Sequence, residues 1–136
     1  MNTNPNGAKS AEDKLWLKQQ LSKGVYELCD QGVFDQTLVE AHPTWVLPHS
    51  LLVGKIRNMG AESSTRWFIC GDCETLHIPA EVANTSQEAV RHFALLWQTK
   101  LGKEPQPESA TQQAAIQKAE SLYELSQQNG LWVHGN

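Results

Sequence analysis

An α+β fold is predicted for this chain: an N-terminal helix, a small antiparallel sheet of about three strands, and two C-terminal helices packed on the sheet. Three observations carry that expectation. Apolar residues recur at helical spacing near the N-terminus. Two segments rich in β-branched and aromatic residues then flank a short polar link. Beyond them come two helix-start signals, each leading into an apolar stripe. At 136 residues the chain has the size of one domain and buries about two thirds of its unfolded surface. Residues 1–10 read as a solvated tail and residues 11–136 as a single globular domain.

Between residue 11 and about residue 30, Leu17, Leu21, Val25 and Leu28 form the apolar positions of the first helix. Gly24 interrupts them at a cost of about 1 kcal/mol relative to Ala. Gly32 follows as a left-handed stop. Residues 34–40 are expected to form a short strand, and Pro43 and Pro48 to make a loop around Trp45. LLVGKIRN (51–58) and TRWFICGD (65–72) read as a hairpin across MGAESS, with TLHIP (75–79) as a third strand. Leu52 and Ile56 face one way and Leu51 and Val53 the other; Trp67 and Ile69 oppose Phe68 and Cys70 in the same manner. Strands apolar on both sides are covered on both sides, here by the 11–30 helix or by a second copy of the chain. Thr85-Ser86-Gln87-Glu88 is a capping box, and Val90, Phe93, Ala94, Trp97 and Leu101 share one face of the helix it starts, which Gly102 ends. Ser109-Ala110-Thr111-Gln112 is a second box, leading into a stripe of Ala115, Ala119, Leu122 and Leu125. Gly130 and Leu131 then fit a Schellman ending, with Leu131 folded back on the last turn.

Charge argues against a nucleic-acid partner. The chain carries 11 Lys and Arg against 15 Asp and Glu, a net charge of −4, with no basic run longer than two residues. Non-specific nucleic-acid affinity comes mainly from phosphate neutralisation. The longest apolar run, FALLW at 93–97, is too short to span a bilayer, so no membrane partner is expected. No signal-peptide core and no lipidation signature are recognisable. With three cysteines, an odd number, the expected compartment is the cytoplasm, with reduced thiols.

Cys70 and Cys73 form a Cys-x-x-Cys. A structural zinc site needs four ligands at suitable spacing, and only Cys29 and scattered histidines remain to complete one. A set of Cys29, Cys70, Cys73 and His77 is the one composite worth weighing against no metal. The redox alternative needs a helix N-terminus at the first thiol, and the segment after this pair, ETLHIP, reads as strand. No metal and no cofactor are therefore expected. No nucleophile elbow and no glycine-rich phosphate loop occur. Glu88 and His92 stand four apart on one helix face, as an exposed pair does. Trp67 and Trp97 fall on core positions, which leaves Trp45 and Trp132 as candidate interface anchors.

Taken in order, LPHSLLVGKIRN, RWFICGD followed by a Thr, SQEAVRHFALLWQ, AESLYEL and a closing LW resemble the bacterial family called domain of unknown function 4826. The resemblance spans about residues 14–132. It implies a small cytoplasmic α+β protein of gammaproteobacterial type and brings no activity, cofactor or catalytic residue. This chain departs from the family pattern at Cys73, an ordinarily apolar position, and at His49, where the family carries Pro.

Two functions are carried forward. The first is a non-enzymatic protein-binding or dimerisation module, whose partner is another protein or a second copy of the chain. The alternative is a small-molecule-binding or hydrolytic protein with a polar site between the Gly71-Asp72 turn and the helix bearing Arg91 and His92. Asp72, Arg91, His92, Trp45 and Trp132 are the candidate binding residues, with Asp72 expected to pair with Arg91. No catalytic residue is assigned.

Overall fold

A computed structural model describes residues 10–32, 34, 38–103 and 110–132, and for residues 61–63 the backbone alone. Helix α1 spans Ala11–Asp30. Ser10 caps it, its Oγ accepting from the Asp13 N–H at 3.0 Å, and Glu12 and Asp13 lie in the first turn, where acidic groups complement the helix dipole. Gly32 stops it at φ 83°, in the left-handed region that glycine enters without penalty.

The sheet has four strands, one more than expected: β1 (Val39–Leu47), β2 (Leu51–Asn58), β3 (Ala61–Gly71) and β4 (Leu76–Pro79). Their order is β1-β2-β3-β4 and every pairing is antiparallel. The additional strand is β1, where a proline-rich loop around Trp45 was expected. Pro43 fits because β1 is an edge strand and the register shifts between Pro43 and Trp45; edges and bulges are where a strand tolerates a residue with no N–H. Of the expected strand at 34–40, the described residues show strand from Val39, with bends at Phe34 and Leu38. Phe34 is instead a buried plug, and residues 33 and 35–37 lie outside the described residues. The polar link is shorter than expected. The strands resume pairing at Asn58 and Ala61, across Met59 and Gly60, and Gly60 has φ 79°.

Both faces of the sheet are covered within one chain. Leu52, Ile56, Phe68, Cys70 and Val46 pack with Leu17, Leu21, Val25 and Leu28 of α1. On the other face Trp45, Leu51, Val53, Trp67, Ile69, Leu76 and Ile78 meet α2 (Ser86–Gly102) and α3 (Ala110–Ser126). The 11–30 helix thus supplies the second cover. The packing is tight at Gly24: a Cβ placed there would lie 2.9 Å from Cys70 Sγ. A residue that weakens the isolated helix is what lets the helix sit on the sheet.

Thr85 caps α2, its Oγ1 accepting from the Glu88 N–H at 3.1 Å. The return half of the capping box is shifted by one residue, since Glu88 Oε1 accepts from the Asn84 N–H at 2.8 Å. The second box begins at Ser109, outside the described residues. The expected Schellman ending is absent. Gly130 has no left-handed φ, residues Asn129–Trp132 form a 3-10 turn, and Leu131 is exposed. Trp132 is what docks this end of the chain. It is buried, donates from Nε1 to the Leu125 carbonyl at 3.2 Å, and stacks on Trp45 with ring centres 4.0 Å apart.

Candidate functional site

Two turns at one end of the sheet build the site. The first joins β1 to β2 through Pro48 and His49, closed by the Ser50 N–H donating to the Leu47 carbonyl at 2.9 Å. His49 has φ 64°, a value that a proline ring could not adopt; the imidazole Nε2 lies 2.8 Å from Asp13 Oδ1 of α1. The second turn follows β3. Gly71 has φ 119°, and a Cβ on it would lie 2.4 Å from the Ser50 carbonyl oxygen, so only glycine lets the two turns touch. The Asp72 N–H then donates to that same carbonyl at 2.7 Å.

With the turns fixed to each other, α3 passes over them and leaves space. One cleft of about 470 Å³ lies between Leu47, Ser50 and Leu51 on the sheet side and Ala114, Gln117, Ser121, Leu122 and Leu125 on α3. A second, of about 600 Å³, continues toward Ala110, Thr111 and Ala115 at the start of α3. Both share Trp97, Cys73, Ala114, Asp72 and Lys118. Trp97 is buried and contributes an aromatic wall to each. Across the rim, Lys118 Nζ donates to Asp72 Oδ1 at 2.7 Å. The result is an apolar trough with small polar groups along its edge, of a size typical for organic ligands.

Of the five candidate binding residues named from the sequence, only Asp72 lies here. Its partner is Lys118 of α3 in place of Arg91. Arg91 is exposed and His92 half-buried on α2, and neither lines either cleft. Trp45 and Trp132 are buried and stack on each other, so they build the core. Lys118 and Trp97 carry the site, and sequence reasoning passed over both in this role. A signal existed for α3: Ala114, Gln117, Lys118 and Ser121 recur at helical spacing beside the main apolar stripe, forming a second, small and polar stripe.

The cysteine pair separates into two environments. Cys70 is fully buried; its Sγ donates to the Gln20 carbonyl at 3.4 Å, and burial pushes its pKa up to about 12. Cys73 is half-buried and lines the clefts. Burial first, and then Cys70 beside it, raises its thiol above the ordinary range too. Neither is poised as a thiolate nucleophile. Cys29, Cys70 and Cys73 all stand outside any disulfide, and among the described residues no group of three or more His, Cys, Asp or Glu could hold a metal ion. His77 is engaged elsewhere: Arg66 Nε donates to its Nδ1 at 2.7 Å, and burial, then Arg66, then Lys100 lower its pKa.

A family model described as "Domain of unknown function (DUF4826)" matches residues 10–132. That is nearly the whole chain, and the chain belongs to this family. No curated protein and no solved structure matches it. Among the described residues no helix is long and apolar enough to cross a membrane.

Proposed function

We propose that the protein is a bacterial, cytoplasmic binding module that takes a small amphipathic molecule in the trough between the Gly71–Cys73 turn and α3. One observation carries this reading: an apolar trough floored by buried Trp97 lies directly beneath a polar rim built by Asp72 and Lys118. An apolar body gains from entering such a space, and the rim groups orient its polar end. The raised pKa values of Cys70 and Cys73 favour binding over covalent chemistry, because the neutral thiol is a poor nucleophile. Three cysteines outside any disulfide support a reducing compartment, and the net charge of −4 supports a role away from nucleic acid.

A protein-binding or dimerisation module has narrower support. Its anchors were Trp45 and Trp132, and both are committed to the core. Exposed apolar side chains speak for it, among them Leu15 and Tyr26 on α1, eleven residues and so about three turns apart.

The binding reading is tested with the fluorescent amphiphile 1-anilinonaphthalene-8-sulfonate. The native protein is expected to bind it, and Ala114→Trp, which fills both clefts from an exposed backbone position, to bind it at least tenfold more weakly at an unchanged melting temperature. Equal binding by a normally folded variant would place the probe elsewhere and end this proposal.

A further inference from the structure

The Asp72–Lys118 pair spans the trough where its two clefts meet, and both residues line both clefts. Its oxygen and nitrogen lie 2.7 Å apart, yet the two side chains are 61% and 51% exposed. A pair so wet contributes little to stability and opens at little cost. The charges beside it are already balanced, because Glu74 is held by Lys100. Beneath it are Trp97, Leu51 and Leu122.

A rim of one carboxylate and one ammonium discriminates among ligands by charge. A ligand with only a carboxylate takes Lys118 and leaves Asp72 facing a second negative charge. A ligand with only an ammonium does the reverse at Lys118. A ligand that carries both groups on one carbon replaces a single ion pair by two and strands neither partner. Its third substituent then points down into the apolar trough.

We propose that the ligand class is the apolar α-amino acid: ammonium on Asp72, carboxylate on Lys118, and the side chain against Trp97. This deepens the binding reading and rests on it. The hydroxyls of Ser50 and Ser121, which line the same cleft, are available to the carboxylate. A cleft of about 470 Å³ has room for a phenylalanine-sized molecule, and its openness to solvent suits a ligand that keeps its charged end wet.

Calorimetric titration of the full chain with four compounds sharing a phenyl group tests this. They are L-phenylalanine, 3-phenylpropanoate, 2-phenylethylamine and 3-phenylpropan-1-ol. Phenylalanine is expected to bind at least tenfold more tightly than the other three. Asp72→Asn should reduce it to the level of the propanoate, and Lys118→Met to the level of the amine. Both substitutions are at exposed positions, and thermal melting confirms that the variants fold. Equal binding of the propanoate or the amine would overturn the amino-acid assignment and leave the trough as a binding site. The assignment falls in the same way if none of the four binds while the naphthalene probe does. Failure of the probe and of all four compounds would overturn both.

Discussion

Gly24→Ala sets two physical effects of known sign against each other. In an isolated helix, alanine is favoured over glycine by about 1 kcal/mol. In this fold the added methyl would lie 2.9 Å from Cys70 Sγ and 3.3 Å from Cys70 Cβ. Cys70 is fully buried on β3, which is paired on both sides by β2 and β4, so the sulfur cannot give way and α1 must lift. Overpacking of this kind costs about 1–3 kcal/mol. The variant is therefore expected to be less stable than the native protein, by up to about 2 kcal/mol. Cys70→Ala alone removes one sulfur atom and loses about 1 kcal/mol of burial. In that background, however, the new methyl occupies the vacated space, and Gly24→Ala becomes neutral or stabilising. The coupling in a double-mutant cycle, read from urea denaturation of the four proteins, should reach about 1–3 kcal/mol. A Gly24→Ala protein that gains the full helix-propensity increment in the native background would refute the packing argument. So would effects that add within about 0.5 kcal/mol.

Trp132→Ala should lower stability by about 3–5 kcal/mol, because it removes a buried ring, its bond to the Leu125 carbonyl and the stack on Trp45; an unchanged urea midpoint would mark the C-terminal turn as undocked. His77 is held neutral in the fold, with a pKa lowered from 6.5 by burial, Arg66 and Lys100. The stability it contributes is complete above pH 6.5 and is lost as pH falls from there through the folded pKa. His77→Gln keeps an acceptor for Arg66 and cannot titrate, so its urea midpoint should fall less than the native one between pH 7 and 5; parallel curves would contradict the assignment.

The helices and the two-sided strands were legible because their signals are local. Leu17, Leu21, Val25 and Leu28 repeat at the period of a helix, and apolar residues on both sides of LLVGKIR announce a second cover. β1 was illegible for an equally local reason. Pro48 does lie in a turn, but Pro43 reads as a loop residue until it is known that the strand lies at an edge and bulges beside it, and pairing partners are not written in the strand itself. Gly24 shows the same limit. Its cost is visible in the sequence, whereas its benefit depends on Cys70, 46 residues away along the chain.

The misassigned partner of Asp72 follows from how the chain returns. Only about a dozen residues separate Asp72 from the start of α2, which suggested that they meet. Those residues include β4, which runs antiparallel to β3 and carries the chain away from the end of the sheet where Asp72 sits. Helix α2 therefore starts at the far end and comes back. Its last turns reach the site: Lys100 pairs with Glu74, and Trp97 lines the trough beside Asp72. Arg91 precedes Trp97 by six residues, which places it about 9 Å back along the axis and about a third of a turn around it. Asp72 consequently meets the end of α2 and the middle of α3, and the lysine that answers it is Lys118. A short sequence separation measures chain length, and a single reversing strand is enough to turn it into distance.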